Sequence, residues 1–599
     1  MYKYLTTSLF LLVSLLTFAQ TGTVKGRVYN QKNNEPLEFA TIRIQGTTNG
    51  TTTDLEGNYE IVYRPGFYRL EVSYVGYETT LSAEVHIQGN QTAFIDIAVP
   101  ESSTLIDEVV VRPTFNLKKI ESPVSFLTIG VRDIEKAAGV NRDVSKALQS
   151  LPGVGATDPN RNDLIVRGGG PSENVFYLDG IEIPIINHFA TQGSSGGVVG
   201  IINPDFVREV NFYTGAFPAN RPNALSSVMD IRQKDGSRDR IHTQVGIGAS
   251  DAAFTMDGPI GDKSTFIVSA RQSYLQLLFK FIGLPFLPTY NDFQVKYKYQ
   301  IDPKNELSII GLGAIDNMTL NTDLQEDGTE SQRYLLDYLP VYQQWNYTIG
   351  TVYKHFSDNY FDTWVLSRNM LRNKNFKYPD NDESQPKISD YRSDEAENKF
   401  RFERSYPDLP VKLLIGAGVA YSHYENETNR KVFSNGSLND LIYNTRLDLW
   451  SYQAFIQASD TYLNNRLSLS LGLNTTGNNF NNNMKNPLNQ VSPRFSVSYS
   501  LTDKWDINAN VGRYAMRPAY TTLGYKNSSG LFANKNEKLK HIISNQAIAG
   551  FAYEPNFKLR FNLEGFYKLY NNYPLSVTDG MSIAGKGTDY GQVGDEEIV

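Results

Sequence analysis

The sequence predicts a mostly β protein in three units: an N-terminal β-sandwich, a mixed α/β segment and a transmembrane antiparallel β-barrel. Three observations carry that reading. Residues 20–100 are short alternating stretches separated by Gly, Asn and Pro. Residues 115–236 mix helical spacing with strands, and from 240 to 599 two-residue alternation runs through segments joined by alternately short and long connections. A chain of 599 residues is too long for one ordinary core, so several units are expected.

Composition narrows the functions. A net charge of -7 and a pI near 5.6 leave no basic footprint for nucleic acid. Cysteine is absent, which excludes disulfides, thiolate metal sites and a lipidated cysteine. The chain has 37 Tyr and 32 Phe against 4 Trp, with a mean hydropathy of -0.38, an unusual mixture for a soluble enzyme. Residues 1–19 carry one lysine, a short apolar run and small residues before Gln20, the pattern of a secretory signal peptide too short to span a bilayer. No later run of about 18 apolar residues occurs, so an exported chain is either secreted or inserted through strands.

From Thr21 the segments "GTVKGRVYN", "FATIRIQGT", "GNYEIVYRP", "YRLEVSYVGY" and "TAFIDIAV" predict a β-sandwich. Within "TTTDLEGNYEI", Asp54 and Gly57 form the turn and Tyr59 re-enters the sheet. This stretch resembles the carboxypeptidase regulatory-like domain, a non-catalytic module similar to transthyretin-like and carbohydrate-binding-like sandwiches. The resemblance implies a spacer or binding unit.

Next comes a lone β-branched heptad, Leu105, Ile106, Asp107, Glu108, Val109, Val110 and Val111, closed by Pro113. The following unit, 115–236, has helical spacing in "VRDIEKAAG" and "RDVSKALQSLPG", the second stopping before Pro152 and Gly153. Its later segments, "LQSLPGV", "LIVRGGGPSENVFYLDGIEIP", "INPDFVREVNFYTGAFPA" and "LSSVMDIRQKDG", resemble in order the plug domain of TonB-dependent outer-membrane receptors. The plug-motif positions are Arg167, Gly168, Gly169, Asp179, Gly180, Asn203, Pro204 and Gly215. Glycines there allow sharp turns or close backbone approach. Arg208, Arg221 and Arg232 are expected to face carboxylates of a polar barrel lumen, where a cation avoids the cost of lipid.

In 240–599, "FQVKYKYQI" places Phe293, Val295, Tyr297, Tyr299 and Ile301 on one face and Gln294, Lys296, Lys298 and Gln300 on the other. "RLSLSLGLN" and "LRFNLEGFYKL" alternate likewise. Short turns at 302–305, 357–359, 407–410 and 501–504 alternate with long polar segments at 315–344, 371–395, 425–446 and 514–542. Outer-membrane barrels show this asymmetry, with short periplasmic turns and long extracellular loops. Trp345, Tyr347, Trp450, Tyr452, Tyr499 and Trp505 suit interfacial girdles. About 15 strands can be placed, the last at 559–569. The resemblance implies about 22 strands and an aromatic C-terminal residue. The chain ends "GDEEIV", so a C-terminally incomplete receptor is expected.

No catalytic residue, metal or cofactor is expected. "GSSGG" matches a nucleophile elbow at Ser195 only formally, since the required strand and helix are missing around it, and His188 is near it in sequence alone. The histidines are dispersed without an HExxH motif, and "GPIGDKST" reads as a periplasmic hairpin turn. The resemblance gives the heptad its meaning, because "LIDEVVV" is similar to a TonB box, an extended peptide that pairs with the edge of a partner's sheet. The expected function is import of an extracellular nutrient into the periplasm with energy from a TonB-type inner-membrane complex. A ligand-binding signalling or adhesive barrel without import is the alternative, as is a SusC-like glycan importer. Expected partners are the TonB-type protein, outer-membrane lipid, an extracellular ligand of unread identity and, for the glycan reading, a surface lipoprotein.

Overall fold

The computed structural model describes residues 21–101 and 122–599, apart from 123, 137–138, 141, 157–160, 191, 193–195, 249, 408, 435–436, 528, 557 and 584–595. The signal segment 1–19, the heptad 105–111 and Ser195 lie outside the described residues.

The sandwich forms where alternation predicts it. Gly22–Asn30 buries every second residue and pairs antiparallel with Asn58–Tyr63 and parallel with Thr92–Phe94 and Ile97–Val99. A second sheet orders Gly50–Thr52, Thr41–Ile44, Leu70–Ser73 and Thr80–Leu81. Val24, Val28, Ile42, Ile44, Leu70 and Val72 fill the space between them, each a fully buried side chain contributing about 1.5–3 kcal/mol. The expected turn is present: Asp54 Oδ1 accepts from the Asn58 amide at 2.6 Å, and Gly57 adopts φ +77°. A Cβ at Gly57 would lie 2.6 Å from the Val28 carbonyl oxygen, which requires glycine twice over. Tyr59 re-enters the core and donates to the Ile95 carbonyl at 2.7 Å.

The α/β unit is a five-stranded sheet in the order Phe126–Gly130, Val207–Tyr213, Ser227–Gln233, Asn174–Leu178, Ile181–Ile183. Helices Val131–Lys136 and Val144–Gln149 pack on it. Asp143 caps the second, its Oδ1 accepting from the Ser145 and Lys146 amides at 2.8 and 3.3 Å. Asp179 (φ 47°) and Gly180 (φ 87°) make the two-residue turn of the Asn174–Ile183 hairpin.

Fifteen strands, from His242–Ile247 to Leu559–Asn571, form one antiparallel sheet in which each pairs with its sequence neighbours. Among the described residues the first and last of them are each paired on one side only. Their alternation is inverted relative to a soluble sandwich: Phe293, Leu471, Leu563 and Leu569 are exposed, while Asp292, Gln294 and Lys296 are buried. Apolar side chains therefore face outward and polar ones inward, the arrangement a bilayer demands. No helix is long and apolar enough to cross a membrane.

Connections at 303–304, 357–360, 407–411, 463–466, 503–504 and 557–558 define one rim, and those at 274–285, 321–340, 378–388, 479–491 and 517–541 the other. Tyr499 and Trp505 lie toward the short-turn rim, Trp345, Tyr347, Trp450 and Tyr452 toward the long-loop rim. The expected loop 425–446 is instead strand, because Lys412–Ser434 and Ser437–Tyr462 stay in register from 412 to 459 and close at Ser434 and Ser437. Strands of 23 and 26 residues far exceed the roughly ten that a bilayer needs. Sequence polarity marks where lipid stops; the hydrogen-bonded ladder continues past it.

Candidate functional site between plug and wall

The α/β unit fills the lumen as a plug. Its core runs directly into the wall, with Ile181, Ile183, Val210 and Ile231 in one cluster with Ile310, Leu312, Val352 and Leu371. Polar straps then reach it from all around the sheet. Asn203 N donates to Gln294 Oε1 at 2.9 Å, Arg401 Nη2 to the Gly180 carbonyl at 2.6 Å, and Asn474 Nδ2 to the Ala219 carbonyl at 2.9 Å. Gln546 Nε2 donates to the Leu225 carbonyl at 2.6 Å, and Arg494 Nη1 to the Phe217 carbonyl at 3.0 Å.

The expected plug-motif residues divide between turns and wall contacts. Arg167 (φ 51°) pairs with Glu564 of the wall at 2.5 Å, and Glu564 also accepts from Ser125 Oγ at 2.8 Å. Gly168 (φ 76°) has open space around it, so backbone conformation alone calls for glycine there. Gly169 is a close-approach position, since a Cβ would collide with Ser226 Oγ. Asp179 accepts from Gln233 N at 2.9 Å and from the wall's Lys296 at 3.1 Å. Asn203 Oδ1 caps the turn Pro204–Phe206 through the Asp205 amide at 2.9 Å. A Cβ at Gly215 would meet Ile548 of the wall, which sets the plug's closest approach there.

The three arginines differ in what they reach. Arg221 lies 3.6 Å from Glu403 of the wall and 3.5 Å from Asp230, over the Tyr177 ring. Arg232 pairs within the plug, with Asp230 at 3.5 Å. Arg208 is half-buried and adds to the field of Lys296 and Lys298, which against burial holds the Asp235 carboxyl well below the usual range.

Sequence reading missed two further clusters. His188 lies between Asp292 and Asp316, and Lys399 bridges Glu182 of the plug and Glu397 of the wall at 2.8 and 2.7 Å. The signal was available in strand parity, because Asp292 shares the inward face of Gln294 and Lys296.

Above the plug apex, toward the long-loop rim, lies an open cleft. Ser172, Asn174 and Asn223 line it from the plug, Asn369, Glu395 and Glu397 from the wall, Arg517, Tyr520 and Tyr573 from beyond the strands. Its charges are largely cancelled internally. Glu397 takes Lys399 and, at 3.9 Å, Arg517, whose guanidinium stacks 3.6 Å over Tyr520. Tyr520 donates to Glu397 Oε1 at 2.5 Å, and Tyr573 to Glu173 at 3.2 Å. His541, on the adjoining cavity, is buried and held neutral, its pKa pushed down to about 3 by burial and by Arg517. Such a lining offers hydrogen bonds and aromatic faces. Among the described residues no group of three or more His, Asp or Glu is placed to hold a metal ion.

The sandwich meets the short-turn rim and the plug together. Asn34 Nδ2 donates to the Pro303 carbonyl at 2.5 Å, Lys412 lies 3.5 Å from Glu78, and Arg238 pairs with Asp96. Glu84 accepts from the Arg132 amide at the start of the first plug helix at 3.1 Å, and His86 lies 3.3 Å from Glu135.

Three family models match in the same order. The CarboxypepD_reg-like domain covers 24–111, the TonB-dependent receptor plug domain 118–226, and the TonB dependent receptor-like β-barrel 272–598. TonB-dependent receptor P39 of Formosa agariphila is 24% identical over 282 residues, 43% of this chain and 26% of that protein. TonB-dependent receptor SusC of Bacteroides thetaiotaomicron is 26% identical over 202 residues, 32% of this chain and 19% of that one. The chain thus spans about a quarter or less of the length of these relatives. The crystal structure of the siderophore receptor PirA from Pseudomonas aeruginosa superposes with a TM-score of 0.55 at 15% identity, covering 77% of each chain. With a matching barrel model over more than half its length, a plug inside that barrel and a regulatory-like sandwich before it, the chain belongs to the TonB-dependent receptors of the outer membrane.

Proposed function

We propose that this receptor binds an extracellular nutrient in the cleft over the plug and imports it into the periplasm, energised by a TonB-type protein that pairs with Leu105–Val111. The observation that carries the proposal is the plug itself, held inside an inward-polar barrel by ion pairs and amide contacts as well as by apolar packing. An outer membrane has no ATP supply, so a filled lumen calls for work delivered from the inner membrane. Residues 1–19 act as the export signal in this reading. The sandwich is non-catalytic, and the chain performs no covalent chemistry. His188, the one histidine close in sequence to Ser195, has both ring nitrogens on carboxylates.

A glycan importer working with a surface lipoprotein is the reading favoured for the substrate, on two observations. The relative SusC is among the matches, and the cleft's cations are each paired, which suits an uncharged hydroxyl-bearing ligand better than a ferric siderophore anion. The test is uptake of a radiolabelled neutral oligosaccharide and of a ferric siderophore by cells with and without the receptor, each with and without the TonB-type protein. Receptor- and TonB-dependent oligosaccharide uptake is expected. Surface binding without accumulation would instead establish a signalling or adhesive barrel.

A further inference from the structure

Two short plug strands, Asn187–His188 and Val199–Gly200, pair with each other and lie against the inside of the wall. His188 is fully buried there, with Nδ1 2.6 Å from Asp316 Oδ1 and Nε2 3.2 Å from Asp292 Oδ2. Both carboxylates are also fully buried. Asp316 accepts a second bond from the Phe189 amide at 2.8 Å. Arg271 places Nε 2.9 and 3.1 Å from the two oxygens of Asp292, and its Nη2 donates to the Gly200 and Ile201 carbonyls at 2.7 and 3.0 Å. Tyr290 stacks on the imidazole at 4.2 Å and donates to Asp251 at 2.7 Å, while Asp143 accepts from the Gly200 amide at 2.7 Å on the other strand.

This geometry favours one state of the ring. A neutral imidazole has one N–H, so one ring nitrogen would turn its lone pair toward a carboxylate in a site closed to water; the imidazolium donates from both. Charge gives the same answer. Asp292 and Asp316 carry two negative charges, Arg271 supplies one positive charge, and only a protonated His188 completes the balance. Asp251 and Asp143, at the edges of the cluster, add negative charge that favours the proton.

We propose that His188 is a proton-held latch: as imidazolium it bridges Asp292 and Asp316 and pins the two strands to the wall, and loss of its proton releases them. A pull that exposes the ring to water lets the proton pass to solvent, so the strands cannot re-seat until the ring is protonated again. Burial alone would drive the ring neutral, but Asp316 and Asp292 outweigh it and hold its pKa above the ordinary histidine value. With the folded value raised, the latch is at full strength below the ordinary pKa and is lost as pH rises through the raised one.

The experiment is hydrogen–deuterium exchange on the full chain in detergent micelles, corrected for intrinsic rates, from roughly pH 6 to pH 9. The amides of Phe189, Gly200 and Ile201 report the latch, and those of Ser227–Gln233 serve as the internal reference. In the unsubstituted chain, latch protection relative to the reference should fall by up to about tenfold per pH unit above the midpoint. His188→Gln should lower that protection and abolish its pH dependence. Asp316→Asn, which removes one of the two charges holding the proton, should move the midpoint to lower pH, and it decides the matter if His188→Gln does not fold. Latch protection that tracks the reference across the range would overturn the proposal. So would an unchanged pH response in His188→Gln, or an unshifted midpoint in Asp316→Asn.

Discussion

Arg167 and Glu564 show what a single ion pair does in a water-poor lumen. Their side chains are only 8% and 11% exposed, so removing one partner strands the other charge, at a cost of about 3–5 kcal/mol. Arg167→Ala should therefore loosen the plug by about 3 kcal/mol or more. Arg167→Ala combined with Glu564→Ala should cost less than the two single changes added together. Urea denaturation of the three variants checks this, and strict additivity would mean that the pair does not act as a unit.

His541 makes the opposite pH statement to His188. Its Nδ1 is buried without a hydrogen-bond partner, and its pKa lies near 3 rather than 6.5. A histidine kept neutral by the fold stabilises it above the ordinary pKa, and that contribution drains away as pH falls below 6.5 toward 3. Acidification from roughly pH 7 to pH 5 should thus lower the unfolding free energy, by at most about 1.4 kcal/mol per unit below the ordinary pKa, and with it the melting temperature. His541→Asn should be less sensitive over that interval, and equal slopes for the two proteins would remove His541 as the cause.

At the scale of elements, the sandwich carries its own core, with Val24, Val28, Ile42 and Leu70 fully buried among sandwich residues alone. Residues 21–101 expressed alone should melt in one cooperative transition and hydrolyse no peptide. Gly57→Ala in that unit should destabilise it by about 1–3 kcal/mol through backbone strain, measured by chemical denaturation. Much of this architecture was legible from alternation. "GTVKGRVYN" and "LSLSLGLN" announce their strands because burial on one face selects every second residue. The extent of Lys412–Ser434 and Ser437–Tyr462 was not legible, because above the lipid both faces of a strand are wet and the pattern disappears. The partners of Arg221 and His188 were equally hidden, since Glu403 and Asp316 are brought to them only by the curling of distant strands around the plug. Inward parity identified which wall residues face the lumen, but not which plug group each would meet.

At the scale of the whole molecule, the two rims fix orientation. Long connections and the extended hairpin tip near 434–437 belong outside the cell, and the sandwich, bound to Pro303 and Lys412 on the other rim, belongs in the periplasm. Protease added to intact cells should cut at the 434–437 tip and leave the sandwich untouched until the outer membrane is permeabilised. The reverse pattern of cleavage would invert the assignment.

The import proposed above would further require that the periplasmic end take hold of an energising partner. The proposed grip is the backbone of Leu105–Val111, which would pair edge-on with a partner strand, so that side-chain identity would matter less than the amide row. Proline at Val110 removes a donor and fixes φ, whereas alanine keeps the N–H. The decisive measurement is binding of the periplasmic domain of the TonB-type protein to the full chain carrying either substitution, by isothermal calorimetry in detergent. Val110→Ala should bind within a few-fold of the unsubstituted chain, and Val110→Pro should lose binding by at least about tenfold, the equivalent of one hydrogen bond and the pairing beyond it. Undiminished binding by Val110→Pro would contradict the account.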